Sequence, residues 1–169
     1  MPPVAETVLI HPNRRKAESR ATKAAVILLL LVSAALIAIV MIGAWDALQG
    51  AQVVSIGYIL VYLLMAFFVA RWNRGILPVA AGLAVLFAVV AAVAGPGWFE
   101  RDKAGFDDPL LPPEILGLLT IILVPVQILL IAFAMRGFQQ QWNVEVEVTR
   151  EEAERHRRGE TPGPQPRTA

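Results

Sequence analysis

The polar side chains that could do chemistry are few, and they lie inside long apolar stretches of the chain. Tyr58 and Tyr62 are four residues apart, so a helix would place both phenols on one face. Thr120 and Gln127 lie in a later apolar stretch. A phenol or an amide in apolar surroundings needs a hydrogen-bond partner, so we expect these side chains to face other helices. Two interpretations remain open: a small polar cavity for a neutral ligand or quinone, and hydrogen bonds that only join helices.

A second set of candidates is acidic and lies in one connecting segment, residues 95–114. Its members are Glu100, Asp102, Asp107, Asp108 and Glu114. Their oxygens could bind a hard cation, but the spacing does not follow the EF-hand pattern. A lipid-processing enzyme would need two such acids held rigidly at the membrane face, which the spacing does not provide. We therefore predict no metal site and no catalytic residue here, and interpret Glu114 as a helix N-terminal residue that complements the helix dipole.

The residue types that are absent exclude several mechanisms. The chain has no cysteine, which removes disulfides, thiol relays and iron–sulfur clusters. Both histidines, His11 and His156, lie outside the apolar stretches, so no haem ligand is expected within them. Those stretches also lack the acid or base that ion-coupled transport usually uses. We predict a protein that is not an enzyme and that has no cofactor.

The elements that must position these residues are four apolar stretches without a charged residue or histidine. They cover residues 24–44, 53–70, 76–94 and 115–135. A transmembrane helix needs about 20 apolar residues, so each stretch is long enough to cross a bilayer. The composition agrees, with 56% hydrophobic residues, 17% charged residues and a mean hydropathy of +0.58. The sequence predicts an all-α integral membrane protein, a bundle of four transmembrane helices.

The distribution of basic residues predicts the orientation of this bundle. Lysine and arginine near the ends of spans remain in the cytoplasm. Those before the first stretch, between the second and third, and after the fourth are Arg14, Arg15, Lys16, Arg20, Lys23, Arg71, Arg74, Arg136, Arg150, Arg155, Arg157, Arg158 and Arg167. Only Arg101 and Lys103 lie in the other connections. We therefore expect both termini in the cytoplasm and residues 95–114 to form an exoplasmic loop.

Four tryptophans lie at the ends of the stretches. They are Trp45, Trp72, Trp98 and Trp142. An indole ring suits the headgroup layer, so we expect all four to be interfacial anchors.

Small residues recur at every fourth position of the third stretch: Ala80, Ala84, Ala88 and Ala92. Such a stripe lets two helices approach closely and predicts a helix-packing face. Packing within the bundle and packing against another protein both remain open.

The segments outside the membrane divide into two tails. Residues 1–23 form a basic N-terminal tail, which could also begin a signal peptide, but the apolar run that follows is too long and no cleavage site appears. Residues 137–169 form a second tail, in which the alternation over 144–148 predicts a short strand. Thr149 and Glu152 then form a capping-box pattern, Gly159 can end the helix, and the proline-rich residues 161–169 are predicted to be disordered.

These observations combine into a functional hypothesis. We expect domains at residues 1–23, 24–136 and 137–169, in a small non-catalytic multi-pass protein that acts as an accessory or scaffold subunit. Its partners would be the lipid bilayer and another membrane protein or further copies of itself; a net charge of +1 gives no support to nucleic-acid binding. In composition the chain resembles small Ala-, Val- and Arg-rich membrane proteins of high-GC bacteria, which implies the bacterial plasma membrane. The alternative is a small oligomeric channel or carrier for a neutral or lipophilic solute.

Overall fold

The computed structural model describes residues 7–101 and 109–159, and most of these residues are helical. In chain order the elements are β1 (Thr7–Ile10), α1 (Pro12–Arg15), α2 (Ala17–Gly43), a 3-10 turn (Trp45–Leu48), α3 (Ala51–Ala70), α4 (Ile76–Trp98), α5 (Pro113–Gln139), β2 (Val146–Thr149) and α6 (Arg150–Arg158). The helices α2 to α5 are each long and apolar enough to cross a membrane. The prediction of four such helices is confirmed.

The four long helices extend beyond the charge-free stretches that predict them. α2 begins at Ala17 and α5 ends at Gln139, in both cases through polar residues. Alanine, glutamate, arginine, lysine and glutamine all have high helix propensity, so nothing stops the helix where the apolar run stops. α4 likewise continues to Trp98, with Pro96 in its last turn.

The helices pack unequally around a common core. α4 packs most extensively on α5, while α2 contacts both α3 and α5. α3 and α4 meet over a shorter region, where the rings of Tyr58 and Phe87 lie 4.7 Å apart, centroid to centroid. Fully buried apolar side chains such as Leu30, Leu77 and Leu130 fill the centre.

The outer surface of the bundle is strongly apolar. Large hydrophobic side chains point outward on all four long helices, and Val53 and Val93 are each 75% exposed. A soluble helix buries its apolar side chains and presents polar ones to water. This surface is suited to a lipid environment, as a membrane-embedded protein requires.

The segments before and after the helices fold together. β1 and β2 form a two-stranded antiparallel ribbon in which Val8 lies opposite Val148. The all-α prediction is therefore incomplete: the alternation over 144–148 predicts one strand, but the sequence analysis does not predict its partner at Thr7–Ile10. This pairing brings both terminal segments to one end of the bundle, which we call the terminal end; the α3–α4 turn lies at the same end.

The last helix follows its sequence signals closely. The Thr149 amide donates to Glu152 Oε2 at 3.1 Å, and the Glu152 amide donates to Thr149 Oγ1 at 3.3 Å. This reciprocal pair is a capping box. α6 ends before Gly159, whose φ of +77° suits glycine, so the predicted start and end signals are confirmed. The predicted disordered stretch 161–169 lies outside the described residues.

Candidate functional site

Three polar side chains from three helices form a buried hydrogen-bond network in the bundle interior. Tyr62 of α3 donates its hydroxyl hydrogen to Gln127 Oε1 of α5 at 2.8 Å. Gln127 Nε2 then donates to Ser33 Oγ of α2 at 2.9 Å. Ser33 donates its own hydrogen to the Leu29 carbonyl at 2.7 Å. All three side chains are fully buried, so the network joins α2, α3 and α5 in the interior.

The chemistry of Gln127 and Ser33 explains how one network can join three helices. Gln127 lies two residues after Pro125, near the middle of α5, and its amide can both accept from one helix and donate to another. Ser33 bonds back to the preceding turn of α2, a common arrangement for serine in helices. That bond uses the serine hydrogen, so the oxygen remains available as an acceptor for Gln127.

The other two predicted cluster residues have different surroundings. Tyr58 lies edge-on to Tyr62 with ring centroids 5.7 Å apart. Within residues 7–101 and 109–159 its hydroxyl makes no hydrogen bond. Thr120 donates to the Leu116 carbonyl one turn earlier in its own helix, at 2.7 Å. The structure thus joins Tyr62 and Gln127 directly, places Tyr58 beside them through a ring contact, and leaves Thr120 out of the network.

Of the acidic residues in the connecting segment, residues 95–114, the structure describes only two. Asp102, Asp107 and Asp108 lie outside the described residues, and Glu100 and Glu114 are both exposed. Among the residues that the structure does describe, no group of three or more histidine, aspartate or glutamate side chains could hold a metal ion.

The alanine stripe of α4 is buried over only part of its length. Ala80 and Ala84 are fully buried, Ala88 is half-buried and Ala92 is exposed. Positions four apart advance around a helix by more than one full turn, so the stripe drifts away from the packing face. Ala91 and Gly95 continue that face, and a Cβ built on Gly95 would lie 2.7 Å from Ile121 Cγ1. The α4–α5 contact therefore follows a spacing closer to seven residues per two turns.

A second polar cluster lies at the terminal end and centres on Trp142. This side chain is fully buried against Gly137, where a Cβ would lie 3.0 Å from Trp142 Cζ2. Its indole N–H donates to Gln140 Oε1 at 3.0 Å, and Gln140 Nε2 donates to Thr22 Oγ1 at 3.0 Å. The segment after α5 is thereby attached to the first helix of the bundle.

Two arginines tie the same segment to the bundle. Arg14 Nε donates to the Trp142 carbonyl at 2.9 Å, and Arg74 Nε donates to the Phe138 carbonyl at 2.6 Å. The Arg74 guanidinium also lies 4.1 Å from the Phe138 ring centroid. Arg74 lies at the carbonyl end of α5, where a cation is favourable because the last carbonyls have no partner within the helix, whereas Arg14 binds a carbonyl beyond that end. Arg14 and Arg74 therefore serve the fold in addition to any role in orientation.

The prediction that all four tryptophans are interfacial anchors is wrong for two of them. Trp142 is fully buried and Trp98 is 7% exposed. Trp142 packs on Gly137, while Trp98 packs with Ala44, Ala47 and Leu116 at the opposite end. Helix-end position alone cannot distinguish an indole in the headgroup layer from one packed beneath a neighbouring segment. Trp45, at 47% exposed, remains suited to the headgroup layer.

Sequence reasoning missed Ser33 and the terminal cluster. Ser33 is the one polar residue in the first apolar stretch, which could have marked it as a partner for Gln127. Gln140 and Trp142 lie in a polar segment where nothing in the spacing indicates what they contact.

Comparisons with known proteins add no further constraint: no family model matches the chain, and neither the curated proteins nor the solved structures contain a match to it.

Proposed function

We propose that this protein is a non-catalytic multi-pass protein of the bacterial plasma membrane, acting as an accessory or scaffold subunit of a membrane complex. In this proposal both termini are cytoplasmic, and the terminal end faces the cytoplasm. The partner is another membrane protein or a further copy of the chain.

The observation that carries the proposal is the Tyr62–Gln127–Ser33 network. A polar lining for a solute needs donors and acceptors that point toward an open path. Here Tyr62 and Gln127 satisfy one another and Ser33 while fully buried. Hydrogen bonds of this kind join helices and fix their register. The interior of the bundle therefore supports a structural role better than a transport role.

The terminal end supports the scaffold role further. β1, β2 and α6 form a small folded unit outside the apolar bundle, fixed to it by Arg14 and Trp142. A folded unit on a membrane anchor can present a surface of defined shape to a partner.

Copurification tests the proposal directly. The tagged protein is extracted from its native membrane in a gentle detergent, and the proteins that accompany it at fixed stoichiometry are identified by mass spectrometry. We expect a stable partner. Recovery of the chain alone as a monomer would contradict the proposal.

The channel or carrier alternative predicts a different outcome for one pair of substitutions. If the polar side chains line a path, Tyr62→Phe with Gln127→Leu should abolish solute flux in liposomes. If they only join helices, the double variant should lose stability and leave partner binding intact. Tyr58→Phe serves as the control for stability, because it removes a phenol hydroxyl outside the network.

Orientation is tested by single cysteines, which the natural chain lacks. Glu100→Cys and Arg155→Cys change exposed residues on opposite sides of the proposed membrane. We expect an impermeant thiol reagent to label Glu100→Cys in intact cells and Arg155→Cys only after the cells are lysed. The reverse pattern would contradict the proposed orientation.

A further inference from the structure

The terminal end carries a groove whose walls change from charged to apolar. It has a volume of about 180 Å³ and is lined by Arg20, Lys23, Ala24, Ile27 and Trp72. Arg20 and Lys23 lie just before the first charge-free stretch, while Ala24 and Ile27 belong to it. The groove therefore joins the basic residues that precede the first apolar stretch to the first residues of that stretch.

Trp72 forms one wall of the groove and is held by its contact with a buried ring. Trp72 lies in the α3–α4 turn, in the left-handed region with a φ of +63°. Its ring meets the fully buried Trp142 ring edge-on, with centroids 5.3 Å apart. Since Trp142 is fixed by its own hydrogen bond, Trp72 is held in place without a ligand.

The charge of the groove is positive. Lys23 Nζ lies 4.1 Å from the Trp72 ring centroid, a cation–π contact that orients the ammonium group. Among residues 7–101 and 109–159, no carboxylate lies within ion-pair distance of Arg20 or Lys23. Two cations beside an apolar wall thus have no anionic partner from the described protein.

We propose that this groove binds one anionic glycerophospholipid, with its phosphate at Arg20 and Lys23 and its acyl chain along Ala24 and Ile27. Arginine and lysine are the usual phosphate-binding side chains, and juxtamembrane basic residues attract anionic lipids. A free phosphate could use the two cations but would gain nothing from the apolar wall. The amphipathic lining therefore favours a lipid, and the inference does not depend on the proposed accessory role.

Native mass spectrometry tests this site on the full-length protein in detergent. The probes are phosphatidylglycerol and phosphatidylcholine with identical acyl chains, and inorganic phosphate alone. We expect one phosphatidylglycerol to bind in preference to phosphatidylcholine. The double variant Arg20→Gln with Lys23→Gln should lower its affinity by roughly 30-fold, from the effect typical of two juxtamembrane cations.

A matched control separates this groove from general charge attraction. Arg71→Gln with Arg136→Gln removes the same charge from exposed positions at the same end, and should leave binding unchanged. Equal losses of phosphatidylglycerol affinity in both double variants would overturn the proposal. Unchanged affinity in Arg20→Gln with Lys23→Gln would also overturn it. Competition by inorganic phosphate at a concentration equal to that of the lipid would overturn a lipid ligand.

Lys23 also contacts Trp72, so its replacement could disturb the fold. Arg20→Gln alone changes an exposed side chain and provides a second variant. We expect it to lower phosphatidylglycerol affinity by roughly fivefold, with an unchanged melting temperature in phosphatidylcholine. Unchanged affinity in this variant would overturn the assignment of the phosphate to Arg20.

Discussion

At the scale of single residues, Gln127 has the widest influence because its amide bonds two other helices at once. It accepts from Tyr62 and donates to Ser33. Hydrogen bonds between membrane helices contribute about 0.6 kcal/mol on average and up to about 1.7 kcal/mol. A single amide with two such bonds can therefore fix the relative register of α2, α3 and α5.

A double-mutant cycle on Tyr62 and Gln127 measures that coupling. Tyr62→Phe leaves Gln127 Oε1 without a partner, and Gln127→Leu leaves the Tyr62 hydroxyl without one, so each single change should cost about 1 kcal/mol. The double change leaves neither group unpaired and should cost less than the sum. The measurement is the free energy of unfolding in mixed micelles. Additive losses, or a Tyr58→Phe control that costs as much as Tyr62→Phe, would contradict the network.

A second residue-scale prediction concerns Gln141, which directs the chain back over the bundle after α5. Its φ of +49° is unfavourable for a side chain, at a typical cost of about 1 kcal/mol. Gln141→Gly should therefore raise the free energy of unfolding by about 0.5 kcal/mol, after allowance for the greater freedom of the unfolded chain. Thermal unfolding in detergent measures the change.

The matched control is Gln139→Gly, two residues earlier and still helical. Glycine is less favourable than glutamine in a helix, so at this last residue of α5 the variant should lower the free energy of unfolding by about 0.5 kcal/mol. The two glutamine-to-glycine substitutions would then change the free energy of unfolding in opposite directions. A loss of stability in Gln141→Gly would show that its backbone is not held in the left-handed region.

The sequence predicts the single-residue features unequally. Tyr62 and Gln127 stand out because a phenol and an amide are rare in hydrocarbon, and each must find a partner. Ser33 is less informative, since serine can satisfy itself on its own helix. Gln140 and Trp142 follow a helix end where the sequence does not show which surface the chain folds over.

At the scale of elements, helix contacts depend on a few glycines at which two segments approach closely. Gly137 lies beneath Trp142 and also close to Leu77, at 3.1 Å from a built Cβ to Leu77 Cδ1. The segment after α5 therefore packs on the bundle at Gly137 through Trp142. The apolar run that predicts α5 does not indicate this contact, because the contact depends on Trp142, which lies beyond the end of the helix.

In Gly137→Ala the added methyl requires Trp142 and Leu77, at 3.0 and 3.1 Å, to shift slightly, which offsets the helix-propensity gain of alanine, so this variant should be less stable than Gly82→Ala by about 1 kcal/mol. Gly82→Ala is the control: Gly82 lies within α4 and a Cβ there would meet nothing within 4 Å. Helix propensity then predicts a gain of up to about 1 kcal/mol. Thermal unfolding in detergent measures both, and equal shifts in the two variants would contradict the close packing at Gly137.

The sequence predicts an element well when a single property of its residues determines whether it forms. The four long helices follow from apolar length alone, which explains their agreement with the sequence. β1 has only four residues, Thr7–Ile10, and forms because β2 lies beside it. Its residues favour a strand, but a strand of that length is stable only when paired, and the sequence does not show which segment pairs with it.

At the scale of the whole molecule, the two ends of the chain close the terminal end of the bundle as one unit. Val8 and Val148 lie opposite each other in the ribbon, although 140 residues separate them. In a membrane this pairing requires both segments to lie on the same side, so it is consistent with the four crossings proposed above and incompatible with an odd number. The ribbon therefore supports the proposed even number of crossings.

A disulfide across the ribbon tests the pairing of β1 with β2 and the closure of the terminal end in one experiment. Opposed residues of an antiparallel pair have Cα atoms about 4.5 to 5.5 Å apart, within the range that a disulfide spans. Val8→Cys with Val148→Cys should therefore cross-link under mild oxidation, and natural cysteines cannot interfere because the chain has none. After cleavage at a protease site inserted between residues 101 and 109, the two halves should migrate together until a reductant is added. Thr7→Cys with Val146→Cys is the control, three positions out of register and roughly 10 Å too far along the strand to join. Cross-linking of both pairs would indicate loose association of the tails, whereas cross-linking of neither would contradict the ribbon and the closure of the terminal end that depends on it.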